Sequence, residues 1–289
     1  MKKIFFCGNP EIAVPALEKL AEKFEILVGT FPDKIFGRKK IWQSTPVKIA
    51  AQKLNLPIFE ISNQKNLADF CAKKNFDAAI VIAFGLIFPE KILQKNNFLN
   101  VHFSLLPQFR GASPVQSAIL AGEKISGISI QKMAKKLDAG DILFQKEFSI
   151  AEKNCREIFD FFAQKTAEIL PNFLENFFKN KILAKKQNEK NATFCRKIEK
   201  KDGEIFPQNM SADEIFRKFL AFKIWPEIFF RCNEKIVKLK KIFLKNPPKN
   251  CAEIFCKNGK IFVDRAQISG KKEMSAAEIL RGNPQIFNF

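Results

Sequence analysis

The only histidine of the chain lies in the stretch NVHFSLLPQFRG, at residues 100–111. If this stretch begins as a β-strand, Asn100 and His102 are two residues apart and their side chains point to the same face. An imidazole can move a proton near neutral pH, and an amide can donate a hydrogen bond to a developing oxyanion. A lone histidine in a strand is more often a core residue, but the polar neighbours on both sides favour a functional one here.

A carboxylate can join this pair from the loop LDAGD at residues 137–141, where Asp and Gly suit a tight turn. In open α/β sheets, ligands bind beyond the carboxyl ends of the strands, so the two loops can converge. Asp138 would then orient the imidazole of His102. An amide, an imidazole and a carboxylate together suit acyl-type transfer to an amine, with His102 moving the proton between the amine and the leaving group.

The sequence lacks the residues that several other kinds of catalytic site need. The sequence has no G-x-S-x-G, which a hydrolase of the α/β class would need for its serine. Its seven cysteines contain no C-x-x-C, and one histidine cannot complete a metal cluster. The first strand is followed by CGNPEIAVP instead of G-x-G-x-x-G. We therefore expect neither a metal nor a nicotinamide cofactor.

The elements that must position these residues follow from the apolar pattern. Short apolar runs alternate with helical patterns, which predicts a doubly wound α/β sheet. A hairpin and then a long helix, from Glu152 to about Asn180, are predicted to follow it. The predicted strands before the hairpin are 3–7, 24–30, 77–84 and 98–103, and its two strands are 127–133 and 141–150.

A change of composition predicts the domain boundaries. The run at residues 184–204 is polar and dense in Lys and Asn, which indicates a linker. It divides a catalytic domain, residues 1–183, from a C-terminal domain, residues 205–289. Short apolar stretches separated by Asn, Pro and Gly in the C-terminal part predict a small β-barrel.

The net charge of +19 is concentrated toward the C-terminus. Residues from 184 onward hold 23 basic and 12 acidic side chains, against 26 and 18 before them. This excess favours a polyanionic partner such as nucleic acid, although a lysine-rich solvated surface would have the same composition. The longest apolar stretch, residues 78–89, is too short to span a bilayer, and no signal peptide is recognisable. We expect a cytoplasmic protein with reduced thiols and no membrane partner.

Three motifs, N-x-H, S-L-L-P and L-D-x-G-D, are present as NVHFSLLP and LDAGD. In them the chain resembles the folate-dependent formyltransferases. Further segments, among them FCGNPEIAVPAL, RGASPVQ, FCRKIEKKDGEI and SGKKEMSAAEIL, resemble the members of that family that act on methionyl-tRNA, over nearly the full chain. The resemblance implies a Rossmann-like catalytic domain followed by an OB-like β-barrel. It also implies formyl transfer from 10-formyltetrahydrofolate, as cosubstrate, to the methionine amine of initiator tRNA; we expect a monomer with no DNA partner.

The resemblance also assigns roles to individual residues. It implies catalytic roles for Asn100, His102 and Asp138. It implies that folate contacts the loop residues Ser104, Leu105, Leu106 and Pro107. The basic segment from Pro32 to Lys40 would bind the acceptor end of the tRNA through Lys34, Arg38, Lys39 and Lys40, and Arg38 matches the family best. The family usually has a small residue where this chain has Phe103, whose side chain we expect on the face opposite His102.

Two other functions remain open at this point. A formyltransferase acting on a small amine, such as glycinamide ribonucleotide or an amino sugar nucleotide, would share N-x-H and S-L-L-P. A non-catalytic RNA-binding protein could also use the same scaffold. The presence of all three polar residues argues against a scaffold that has lost its activity.

Overall fold

The computed structural model describes residues 1–36, 41–232 and 234–289, without the side chain of Phe36. Two compact units are formed. The first comprises residues 1–114, 125–149 and 159–195, and the second comprises residues 115–124, 150–158 and 196–289.

The strands of the first unit are β1 (Lys3–Gly8), β2 (Glu25–Thr30), β3 (Lys34–Phe36), β4 (Ile41–Gln43), β5 (Ile58–Glu60), β6 (Ala78–Ile82), β7 (Phe98–His102), β8 (Arg110–Gly111), β9 (Ile125–Lys132), β10 (Ile142–Ser149) and β11 (Phe194–Cys195). Seven of them form one sheet in the order β10-β9-β7-β6-β1-β2-β5. The five from β7 to β5 are parallel, and β9 and β10 form an antiparallel hairpin at one edge. The predicted α/β fold and its hairpin are confirmed.

The helices described are α1 (Val14–Ala21), α2 (Pro46–Lys53), α3 (Gln64–Lys73), α4 (Glu90–Lys95), α5 (Pro114–Ala121), α6 (Cys155–Phe178), α7 (Ala212–Ala221) and α8 (Ala276–Gly282). The start of α2 shows how the sequence sets a boundary. The Thr45 hydroxyl oxygen accepts a hydrogen bond from the Lys48 amide at 3.0 Å, and Pro46 occupies the first turn. Among the described residues, no helix is long and apolar enough to cross a membrane.

Phenylalanine rings fill much of the core of the first unit. The ring centroid of Phe70 lies 4.9 Å from that of Phe5 and 4.0 Å from that of Phe59. All five residues of β6 are buried, as expected for a strand covered on both faces. Burial raises the pKa of the Cys71 thiol to about 12. That thiol therefore packs as a small apolar group at neutral pH.

Asn9 ties together three strand ends at the carboxyl edge of the sheet. Its side-chain oxygen accepts hydrogen bonds from the Thr30 hydroxyl at 3.0 Å and the Phe31 amide at 2.8 Å. Its side-chain nitrogen donates to the Phe84 carbonyl at 2.6 Å. In the sheet, β2 lies on one side of β1 and β6 lies on the other, so the strand order changes direction at β1. The asparagine of CGNPEIAVP thus fixes the edge at which ligands of such sheets bind.

The second unit contains a five-stranded antiparallel sheet, formed by β12 (Phe229–Cys232), β13 (Lys235–Phe243), β14 (Ala252–Phe255), β15 (Lys260–Ile268) and β16 (Met274–Ser275). This is the small β-domain predicted after the linker. The helices α7 and α8 were not predicted from the apolar pattern. Each begins with a capping box, Ser211 with Glu214 and Ser275 with Glu278, so the signal for them was local hydrogen bonding.

Residues 184–204, predicted as a linker, contribute to both units. Residues up to 195 belong to the first unit and residues from 196 to the second. The Lys185 backbone exchanges two hydrogen bonds of 2.8 Å with Ile142. The first half of the segment is therefore part of the first unit.

Candidate active site

Asn100 and His102 lie at the carboxyl end of β7 and share one face of the sheet. In the antiparallel register with β9, Asn100 pairs with Gln131 and His102 pairs with Ser129. Directly opposed residues of antiparallel strands point to the same side, so the two polar pairs form a polar patch at this end of the sheet. His102 is 6 % exposed and Gln131 is 1 % exposed.

Asp138 completes the predicted trio, and both of its carboxylate oxygens have donors. Oδ1 accepts from Asn100 Nδ2 at 3.3 Å and from Gln131 Nε2 at 2.9 Å. Oδ2 accepts from the Gly111 amide at 2.9 Å. The backbone of Asp138 has a positive φ of 50°, which is uncommon for a residue with a side chain. The turn is therefore held in one conformation by its surroundings.

The imidazole of His102 has a defined orientation. Its Nε2 lies 2.9 Å from the Phe109 carbonyl oxygen. Because a carbonyl oxygen can only accept, Nε2 carries a hydrogen. The other nitrogen, Nδ1, lies 3.7 Å from Asp138 Oδ2. Nδ1 is then the basic nitrogen, and an imidazolium formed there faces a carboxylate.

The loop Ser104–Pro107 is fixed by hydrogen bonds to buried polar groups. The Ser129 hydroxyl donates to the Ser104 carbonyl at 2.7 Å and accepts from the Leu106 amide at 3.1 Å. The Ser104 hydroxyl donates to the Gln108 carbonyl at 2.6 Å. Ser104 and Leu106 are buried, and Leu105 and Pro107 are half-buried. Of the four residues predicted to contact folate, Leu105 and Pro107 thus have the accessible side chains.

A segment far along the chain supports this loop. The short strands β8 and β11 pair in parallel, Arg110 with Phe194 and Gly111 with Cys195. Beside them, the Thr193 hydroxyl accepts from the Phe109 amide at 2.8 Å. Gly111 is required at its position, since φ is +123° and a Cβ would lie 2.0 Å from the Cys195 carbonyl oxygen. The carbonyl that orients His102 is therefore held from residues 193–195.

Arg110 is a buried cation next to the trio that the sequence reasoning did not single out. It is 1 % exposed, and its Nη2 donates to Glu189 Oε1 at 2.7 Å. Hydrogen bonds from Arg110 and Lys136 lower the pKa of the Glu189 carboxyl to about 2. Nε and Nη2 also donate to Gln187 Oε1, at 3.0 and 2.8 Å. Arg110 was visible in the motif RGASPVQ, but its partners lie more than 70 residues away and gave no sequence signal.

Residues 1–174 match the family described as formyl transferase, and residues 197–284 match the formyl transferase C-terminal domain. The chain belongs to the formyl transferase family.

Relatives of this formyltransferase cover most or nearly all of its length. The methionyl-tRNA formyltransferase of Campylobacter jejuni subsp. jejuni is 38% identical over 299 residues, covering 98% of this chain and 97% of that protein. The methionyl-tRNA formyltransferase of Sulfurihydrogenibium sp. is 38% identical over 82% of this chain and 78% of its own length.

Solved structures share the fold at lower identity. The N-formyltransferase from Helicobacter canadensis, in complex with folinic acid and dTDP-3-aminofucose, is 19% identical with a TM-score of 0.70, covering 91% of this chain and 99% of that one. HypX from Aquifex aeolicus, in complex with tetrahydrofolic acid, is 17% identical with a TM-score of 0.66, covering 97% of this chain and 47% of that one.

Phe103 of this formyltransferase lies where the strand alternation predicted. It is 5 % exposed, and its ring centroid is 5.5 Å from that of Phe162 and 6.3 Å from that of Phe159, both on α6. The prediction that its side chain points away from His102 and packs on the opposite face is confirmed. The larger residue is accommodated by aromatic packing.

The predicted tRNA-binding residues are only partly described. Lys34 lies on β3 with its Nζ 5.0 Å from the ring centroid of Phe31. Arg38, Lys39 and Lys40 lie outside the described residues. The strands β3 and β4 pair in antiparallel register, and the side chain of Trp42 on β4 is 68 % exposed. Within the described ranges, no three His, Cys, Asp or Glu side chains are grouped so that they could hold a metal.

Gly140→Ala is expected to destabilise the first unit strongly. A Cβ at this position would lie 1.6 Å from the Lys132 carbonyl oxygen, and a backbone atom of β9 cannot move aside alone. We expect the free energy of unfolding to fall by about 3 kcal/mol or more, measured by denaturant titration. Gly85→Ala is the matched control, since its Cβ would meet nothing within 4 Å and only the φ of +80° opposes it, at about 1 to 2 kcal/mol. Equal losses in the two variants would contradict the steric argument.

Proposed function

We propose that this formyltransferase moves the formyl group of 10-formyltetrahydrofolate to the α-amino group of the methionine on initiator tRNA. The observation that carries the proposal is the convergence of Asn100, His102 and Asp138 at one sheet edge. The relatives that cover nearly the whole chain, named methionyl-tRNA formyltransferases, support the choice of substrate.

His102 would act as the base of the reaction. When the amine attacks the formyl carbon, a C–N bond forms and the nitrogen becomes positively charged. Nδ1 of His102 takes a proton from that nitrogen, because Nε2 is already occupied by the Phe109 carbonyl. The imidazolium is stabilised by the Asp138 carboxylate. It then returns the proton to the departing nitrogen of tetrahydrofolate as the old C–N bond breaks.

Asn100 would stabilise the negative charge that develops on the formyl oxygen. Its side-chain nitrogen uses one hydrogen on Asp138 Oδ1, at 3.3 Å, and has a second hydrogen for the oxyanion. The bond to Asp138 fixes the direction in which this second hydrogen points. The fixed amide therefore needs little reorganisation when the charge forms.

The folate side of the site would be the loop Ser104–Pro107. Its backbone polar groups at Ser104 and Leu106 are paired inside the protein, and its accessible side chains, Leu105 and Pro107, are apolar. An apolar wall of this kind fits the flat ring system of a folate. Leu105 and Pro107 would make the contacts, and the buried pair would shape the loop.

The tRNA would bind to the basic C-terminal domain and to the Pro32–Lys40 segment. In the domain division proposed from the sequence, the C-terminal domain, residues 205–289, holds 16 basic and 8 acidic side chains. Exposed Trp42 beside the basic segment could stack on an unpaired base. We further propose a cytoplasmic monomer, since aminoacyl-tRNA is a cytoplasmic substrate.

A substrate competition tests this function. Formyl-labelled 10-formyltetrahydrofolate is offered with methionyl initiator tRNA, glycinamide ribonucleotide and an amino sugar nucleotide in separate reactions. We expect label only in the tRNA fraction. Label in a small amine would support the small-amine enzyme, and no label with any acceptor would support a non-catalytic RNA-binding protein.

Arg38→Ala is expected to lower kcat/KM for methionyl-tRNA by about 10- to 100-fold, since a hydrogen bond from a charged group to the tRNA is lost. Arg38→Lys should restore only part of it, because the planar guanidinium is lost. Binding of folinic acid, measured by calorimetry, should be unchanged in both variants. Unchanged tRNA kinetics after replacing Arg38, Lys39 and Lys40 together by alanine would exclude a role of the segment in tRNA binding.

A further inference from the structure

Gln187 connects the buried Arg110 to the backbone of the turn that carries Asp138. Its Nε2 donates to the Asp138 carbonyl oxygen at 2.9 Å and to the Gly140 carbonyl oxygen at 2.7 Å. Its Oε1 accepts two hydrogen bonds from Arg110, one from Nε and one from Nη2. We propose that Gln187 is a positioning residue for Asp138, an inference that rests on the catalytic role proposed above for that carboxylate.

The groups on either side of the Gln187 side chain, Arg110 and the turn carbonyls, require an amide between them. The guanidinium of Arg110 can only donate, and the two turn carbonyls can only accept. A side chain between them must therefore accept at one end and donate at the other. Arg110 fixes which way the amide of Gln187 points, and the amide nitrogen is thereby directed at the turn.

The turn has a conformation that needs such support. Asp138 has a φ of 50°. Different glutamines hold the backbone of the turn and the side chain of Asp138. Gln187 holds the backbone carbonyls, while Gln131 holds the carboxylate through Nε2 at 2.9 Å and the Gly140 amide through Oε1 at 3.1 Å. The two glutamines contact each other at 3.4 Å. Backbone and side chain of Asp138 are thus fixed by one connected network.

The isosteric substitution Gln187→Glu separates positioning from packing. A carboxylate keeps the shape of the side chain and can still accept from Arg110. It cannot donate to the two carbonyl oxygens and instead repels them. Gln187→Ala removes the contacts at both ends. Gln52→Glu, at an exposed position on α2, is the control for the added charge.

We expect Gln187→Glu to lower kcat about 10²-fold, as for a catalytic group displaced by about 1 Å, with KM for the formyl donor changed less than about threefold. Because the carboxylate facing His102 shifts, the pH profile of kcat should also shift. Gln187→Ala should lower kcat by a similar factor. Gln52→Glu should change neither kcat nor its pH profile. If Gln187 only fills space, Gln187→Glu would retain the wild-type kcat and pH profile, and this result would overturn the inference.

A second measurement does not depend on activity. The Gly111 amide donates to Asp138 Oδ2 at 2.9 Å, so its hydrogen exchange, followed by NMR, reports whether the carboxylate is in place. We expect faster exchange of this amide in Gln187→Glu and Gln187→Ala than in wild type and Gln52→Glu. Unchanged exchange would overturn the inference. If the wild-type protein formylated no amine, the proposed function would fail, and the exchange result would still decide whether Gln187 positions Asp138.

Discussion

His102→Ala is expected to lower kcat for formyl transfer by about 10² to 10⁴ while the protein stays folded. His102 is the only histidine of the sequence, and its Nδ1 faces the Asp138 carboxylate at 3.7 Å. Within the trio, the Asn100 amide is not basic, and both oxygens of the Asp138 carboxylate already accept hydrogen bonds. The rate is measured under saturating formyl donor and methionyl-tRNA, with circular dichroism to show that the fold is intact.

His102→Gln provides the matched comparison. A glutamine can keep a donor near the Phe109 carbonyl but has no nitrogen that can take a proton. We expect it to lose as much activity as His102→Ala. Asn100→Ala should also lose orders of magnitude, because the donor to the oxyanion is removed. Turnover near the wild-type value in either His102 variant would exclude the proposed mechanism.

Asp138→Asn is expected to lower kcat by a comparable 10² to 10⁴ and to destabilise the protein by about 1 to 3 kcal/mol. The Asp138 carboxylate accepts hydrogen bonds from donors on Asn100, Gln131 and Gly111. An amide nitrogen in place of either oxygen would set a donor against a donor. The negative charge that stabilises the imidazolium would also be lost. Asparagine tolerates the positive φ at this position, so backbone strain would not account for the loss.

Asp160→Asn, at an exposed position on α6, is the control for removing a carboxylate from the same unit. It should leave turnover and the denaturation midpoint close to wild type. The two measurements on Asp138→Asn are kcat and the denaturation midpoint. If both equalled the control, Asp138 would be neither part of the mechanism nor a centre of the hydrogen-bond network.

The parallel part of the fold could be predicted because its signals are local. Apolar runs bounded by polar turns indicated β1, β2, β6 and β7, and period-two alternation placed Asn100 and His102 on one face and Phe103 on the other. Short elements were missed, among them β5 and α4, since a few residues contain too little periodicity. The helices α7 and α8 were missed because their capping boxes were not weighed against a β-like apolar pattern.

The trio could be predicted, but its supports could not. Gln131 could have been found from the strand register opposite Asn100, had the pairing of β7 with β9 been known. Gln187 lies in a run rich in Lys and Asn, where composition indicated a linker. A single polar side chain whose partners are distant in sequence produces neither a periodic pattern nor a motif. Only the three-dimensional arrangement distinguishes it from its solvated neighbours.

The pairing of β8 with β11 has a consequence for how the protein is made. Synthesis proceeds from the N-terminus, and 84 residues separate Phe109 from Thr193, which holds it. At about 5 to 20 residues per second, the ribosome needs roughly 4 to 17 s to add them. During that interval the nascent chain can already form β1, β2, β6 and β7, yet the carbonyl that orients His102 has no anchor. Catalytic competence therefore arises late in translation, after the sheet that carries the site.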